Sequence, residues 1–157
     1  MAVRVITDST SNVFGSDRAE FGIGVVQMTV TYGGVTRDED DVDPTDLYRH
    51  MRETREFQTS SQPSVAAMVE ALERLVAAGD EVVGVFVSSD MNGTVSTALM
   101  ARDQILERRP EARIAVVEAR SNSMEEGFAA LAAGRAANGA TASASAPSAS
   151  STRPARN

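Results

Sequence analysis

No cysteine, tryptophan or lysine occurs in the 157 residues, and histidine appears once. Each absence removes a class of chemistry. Without cysteine there are no disulfides, thiolate metal sites or cysteine nucleophiles, a usage that fits a reducing compartment. Without lysine there is no Schiff-base catalysis and no lysine-bearing P-loop, and all 15 basic residues are arginine. Aromatics at 4% leave few platforms on which single-stranded bases could stack. A net charge of −7 disfavours a phosphate backbone, so no nucleic-acid partner is expected. No apolar run reaches the length of a membrane span. The first residues enter a strand-like run with no signal-peptide layout, which points to the cytoplasm.

What remains is an ordinary globular composition, 42% hydrophobic and long enough for one domain with a full core. Residues 3–7 are β-rich and end in the polar turn Asp8-Ser9-Thr10-Ser11-Asn12. Asp8 and Ser9 lie where open α/β sheets collect ligand groups, or one of them caps a short helix near residues 12–20. Residues 23–31 read as a second strand, and Gly33-Gly34 turns the chain back along residues 35–37. The acidic run Asp38-Glu39-Asp40-Asp41-Val42-Asp43 lacks the glycine and glutamate that an EF-hand loop needs at its sixth and twelfth positions, and reads as a solvated loop. Asp43-Pro44 opens a helix carrying Leu47, Tyr48 and Met51. His50 sits on it between arginines and reads as a surface residue.

Two hydroxyl-rich turns organise the rest. Thr59-Ser60-Ser61-Gln62-Pro63-Ser64 leads into a helix with Ser64 as N-cap, an apolar stripe through Met68, Leu72 and Val76, and Gly79 at its end. Residues 81–87 form a continuous apolar run, the mark of a central parallel strand. Ser88-Ser89-Asp90-Met91-Asn92-Gly93-Thr94 follows and opens a helix that Pro110 stops. Residues 113–117 read as another buried strand, and an alanine-rich helix spans residues 124–137. The fold expected is α/β, a parallel sheet with helices on both faces. Residues 1–138 form the domain, and residues 139–157, alanine- and serine-rich without a large apolar side chain, form a disordered low-complexity tail.

A polar turn between strand and helix aims backbone N–H groups and hydroxyls at one point, a cradle for a carboxylate or phosphate. The bland alternative is that Ser60, Ser61, Asn92 and Thr94 only cap helices and form turns. An enzyme acting on a small acyl or phosphate substrate, a hydrolase or phosphotransferase, would use the same turns. However, no GxSxG, HExxH, GK[ST] or strand-following GxGxxG motif is present.

Thr7-Asp8-Ser9-Thr10, Ser60-Ser61-Gln62-Pro63-Ser64, the 88–94 turn, and Ser121-Asn122-Ser123-Met124 with Gly127-Phe128 together resemble the DegV family, over roughly residues 1–138. The resemblance implies a non-enzymatic carrier of long-chain fatty acids that presents the acyl chain to a partner fatty-acid kinase, without cofactor or metal. It carries the carboxylate-holding role onto Ser60 and Asn92, with Thr59 as a shifted alternative, and adds Gly93 and Thr94, whose free N–H groups at the helix start are expected to bind the carboxylate as well. Asp8, Ser9 and Ser61 are supporting positions. Asn92 stands where the family pattern has serine, which keeps a donor on a longer arm. The family also has a C-terminal domain that closes over the acyl chain. Its pattern ends here near residue 139, so a truncated chain is expected. Such a chain would bind weakly, associate with itself through an exposed apolar face, and touch membranes transiently.

Overall fold

The computed structural model describes residues 2–145. Its centre is a four-stranded parallel sheet in the order β2-β1-β6-β7. These strands are β1 (Val3–Asp8), β2 (Ile23–Val26), β6 (Glu81–Phe86) and β7 (Ile114–Glu118). Successive strand side chains point to opposite faces, so Val5 and Ile6 of β1 enter different cores. Ile6, Met68, Leu72, Phe86 and Ile105 fill one, beneath α3 (Val65–Ala77) and α4 (Thr94–Arg108). Val5, Ile23, Val85 and Leu131 fill the other, beneath α1 (Gly15–Phe21) and α5 (Ser123–Ser145). Helices therefore cover both faces, as the alternating pattern implied.

A second, antiparallel sheet has the order β4-β3-β5, built from β3 (Thr29–Tyr32), β4 (Val35–Asp38) and β5 (Thr59–Ser61). The run expected as one strand over residues 23–31 is thus two strands in two sheets. It breaks at Gln27-Met28, where the Met28 N–H bonds the Ser9 hydroxyl and the Met28 carbonyl receives the Glu39 N–H. The stretch Thr59-Ser60-Ser61, expected as part of a turn, is strand β5, paired to β3 with Val30 opposite Ser60.

Other expectations are corrected by packing. The acidic run is not merely solvated. Glu39–Asp41 form a 3-10 turn in which Glu39 accepts from Ser9 and Asp40 accepts from Arg18 and Gln27. Those bonds hold the Asp40 carboxyl below its usual range, the Arg18 hydrogen bond being the main cause. His50, on α2 (Pro44–Thr54), is only 22% exposed because its ring lies against Tyr32 at 5.6 Å. Strand β7 is an edge rather than a buried strand. It has a neighbour on one side only, and Val117 is 45% exposed. Ser64 does cap α3, accepting from the Ala67 N–H, whereas the cap residue at its far end is Ala78 and Gly79 follows with a positive φ. Helix α5 runs on to Ser145, past the expected boundary at 138. The rest of the predicted tail lies outside the described residues.

Candidate functional site

In an open α/β sheet the ligand crevice forms where neighbouring strands send their exits to opposite faces. Strands β1 and β6 are neighbours, with Thr7 beside Val85. From β1 the chain passes to α1 on one face, and from β6 to α4 on the other. The turns Asp8–Asn12 and Ser88–Asn92 therefore flank such a crevice.

Asp8 ties the two turns together. It caps the 3-10 turn Ser9–Ser11 through the Thr10 N–H at 3.0 Å, and its other oxygen accepts the Val87 N–H at 3.0 Å. It also accepts from the Thr10 hydroxyl. Asp8 is a cap, but of the 3-10 turn Ser9–Ser11 and not of the helix expected near residues 12–20, whose N-cap is Phe14 without a side-chain bond. Ser9 is buried as well. It donates to Glu39 at 2.6 Å and accepts from Met28, so it fastens the second sheet to the first. Neither residue faces the open crevice.

That crevice is a cavity of about 250 Å³ lined by Thr10, Asn12, Met28, Glu39, Ser60, Val87, Met91, Asn92, Asn122 and Ser123. Ser60 and Asn92, from different sheets, thus meet in one place. Thr59 and Ser61 do not line it, since alternation along β5 turns them to the other face. Gly93 and Thr94 sit behind it. The Gly93 N–H is bonded to Gln62 Oε1 at 2.8 Å and the Thr94 N–H to Asn92 Oδ1 at 2.8 Å, so both are already satisfied. A Cβ on Gly93 would lie 2.5 Å from Gln62 Oε1, so any other residue here would displace the Gln62 amide. Gln62 also donates to Thr97, locking β5 to α4. With its carbonyl used on Thr94, Asn92 keeps its amide NH₂ toward the cavity, where among the described residues it makes a 3.7 Å contact to the Met28 sulfur.

The rim is strained. Asn12 and Ser123 both adopt positive φ, 52° and 56°, and the Asn12 amide donates to the Ser123 hydroxyl at 3.2 Å. Left-handed backbone at residues other than glycine is held only by surrounding structure and gathers at functional sites. Behind Asn12, α5 comes very close: a Cβ on Gly127 would lie 2.5 Å from the Ser11 carbonyl oxygen. This approach puts Glu126, fully buried, beside Thr7 and Thr10. Burial, and after it the Asp8 charge, raise its carboxyl from 4.5 to about 8. Glu126 was not among the residues expected at the site. Its sequence signal was its place on the helical stripe that continues through Ala130 and Ala137, both buried.

The cavity continues outward. A depression of about 410 Å³ shares Asn12, Glu39 and Ser60 with it and adds Val30, Val42, Leu47 and Tyr48. Beyond Tyr48 lies a third, of about 820 Å³, lined by Met51, Phe57 and the stems of Arg52 and Arg55. A polar end at the sheet thus leads into an apolar trough along α2. Among the described residues no helix is long and apolar enough to cross a membrane.

Comparison with known proteins places this architecture. A family model described as "Uncharacterised protein, DegV family" matches residues 2–152. The chain belongs to the DegV family. A DegV domain-containing protein of Clostridium acetobutylicum is 40% identical over 137 residues, covering 87% of this chain and 48% of that protein. One from Clostridium perfringens is 32% identical with the same coverage. Among solved structures, a DegV family protein from Thermus thermophilus, described for its fatty-acid binding, superposes with a TM-score of 0.78 at 27% identity. It is matched over 86% of this chain and 47% of its own. DegV from Bacillus subtilis, described as a fatty acid binding protein, gives 0.74 at 27% identity, with 94% and 50% covered. The chain spans about half the length of the DegV relatives it matches.

Proposed function

We propose that this chain binds a long-chain fatty acid, with its carboxylate in the crevice between β1 and β6 and its acyl chain along the α2 trough. The observation that carries this reading is the convergence of Ser60 and Asn92 in one polar cavity, followed outward by a mixed depression at Val30, Val42 and Leu47 and then by the apolar trough past Tyr48. A hydroxyl and an amide NH₂ are neutral donors suited to a carboxylate. The solved relatives described as fatty-acid binders share the fold that builds this crevice.

The trough sets the strength. Burying an acyl chain contributes about 0.8 kcal/mol per methylene. Tyr48 and Phe57, 62% and 82% exposed, form one wall only. Part of the tail stays wet, and ordering a flexible ligand costs several kcal/mol, so this half alone binds weakly. On our reading, the additional length of the relatives supplies the opposite wall. The protein then acts as a cytoplasmic carrier that catalyses nothing itself and hands the exposed headgroup to a fatty-acid kinase.

Titration with oleate by fluorescent-probe displacement tests the site. Ser60→Ala with Asn92→Ala removes two donors, each worth roughly 1 kcal/mol, and should weaken binding about thirtyfold. Unchanged affinity would overturn the site. Turnover of an ester or phosphoryl substrate would replace the carrier with an enzyme.

A further inference from the structure

Thr10 carries one hydroxyl proton but stands between two carboxyl groups. Its Oγ1 contacts Asp8 Oδ1 and lies 3.0 Å from Glu126 Oε2. A single proton cannot be donated to both. Asp8 already accepts from the Thr10 and Val87 N–H groups and has no donor role. A proton on Glu126 closes the count: Glu126 donates to Thr10, which donates to Asp8, while Thr7 donates to Glu126 Oε1 at 3.1 Å.

The surroundings agree. The charged groups acting on Glu126 from neighbouring elements are Asp8 on β1 and Glu39 in the 3-10 turn, both acidic. Arg4 and Arg18, on elements packed against α5, pair instead with Asp80 and Asp40. Burial without a cation favours the neutral acid.

We propose that Glu126 is a positioning residue of the headgroup cavity, holding Thr10 in place as a neutral acid and adding no charge of its own to those of Asp8 and Glu39. This rests on the fatty-acid reading above. Loss of the proton would add a further negative charge one hydroxyl away from a bound carboxylate and would remove the donor that orients Thr10. Binding is therefore coupled to the protonation of a residue that the ligand never touches. The same coupling makes the site discriminate by charge: an anionic headgroup feels Glu126 ionise and an uncharged acyl ester does not.

Glutamine reproduces the neutral acid, with a carbonyl to accept from Thr7 and an NH₂ to donate to Thr10. The experiment follows oleate affinity from pH 6.5 to 9.5 for the wild-type chain and for Glu126→Gln, alongside carbon-13 NMR titration of the glutamate carboxyls in the ligand-free wild type. The expected result is a wild-type affinity that falls about tenfold, one unit of pKa coupling, across a transition absent from Glu126→Gln, with one carboxyl titrating near 8. Parallel profiles for the two proteins, or no glutamate titrating above the ordinary range, would overturn the proposal. The NMR arm needs no variant and no ligand. If one carboxyl titrates near 8 while oleate binds at no pH, the headgroup reading fails and the coupling with it, but the proton on Glu126 stands.

Discussion

Helices α2 and α3 are both amphipathic, yet one is buried by its own chain and the other only partly covered by it. Over 13 residues α3 buries Met68, Ala71, Leu72 and Val76 against the sheet. Over 11 residues α2 buries none, although Leu47, Tyr48 and Met51 form an apolar stripe. The periodicity that predicts a helix also predicts an apolar face, but says nothing about what covers it. For α3 the cover is the parallel sheet. For α2 it is, on our account, an acyl chain and whatever closes over it.

Truncating the two stripes tests this contrast. Leu72→Ala should cost about 2–5 kcal/mol, as a fully buried leucine does, and chemical denaturation would measure it. If that variant were near wild type, the sheet would not be the cover that holds α3. An effect of comparable size, spread over several pH units, concerns the buried acid. The folded state keeps Glu126 protonated to about pH 8, whereas the unfolded chain releases that proton near 4.5. Its stabilising contribution is thus complete below 4.5 and is lost progressively as pH rises to about 8. The slope is about 1.4 kcal/mol per pH unit. Glu126→Gln should flatten that portion of the pH–stability curve, and a slope that survives the substitution would place the proton elsewhere. The smallest effect is expected for Met51→Ala on the uncovered stripe, within about 0.5 kcal/mol without ligand. A loss approaching that of Leu72→Ala would mean that α2 is packed by its own chain after all, and the trough would have no vacancy for an acyl tail.

The same contrast explains what could be read in the sequence. Strand β6 and helices α3 and α4 were legible because an apolar run or a 3.6-residue stripe is a local signal. Strand β5 was not. Thr59-Ser60-Ser61 is polar and wholly exposed, and becomes a strand only by pairing with β3, a partner fixed by tertiary contact. The break at Gln27-Met28 was hidden for a similar reason, since it is made by bonds to Ser9, Glu39 and Asp40.

At the site, Ser60 and Asn92 were visible through their motifs, and the structure brings them into one cavity. The motifs could not say that Gln62 and Asn92 would occupy the Gly93 and Thr94 N–H groups. Glu126 was hidden because its partners Thr7 and Thr10 lie 119 and 116 residues away in sequence. A lone acid beside another in the first turn of a helix looks like favourable dipole chemistry. Only the approach of Gly127 to Ser11 turns it inward.

The most direct test of the account is photo-crosslinking with two fatty acids, one carrying a diazirine near the carboxylate and one near the terminal methyl, read by peptide mass spectrometry. The account predicts that the first labels the turns around Asn12, Ser60 and Asn92. The second should label Tyr48, Met51 and Phe57, and Ser60→Ala with Asn92→Ala should suppress both patterns. Labelling that falls on the β7 edge or the outer face of α4, or that ignores the double substitution, would contradict it.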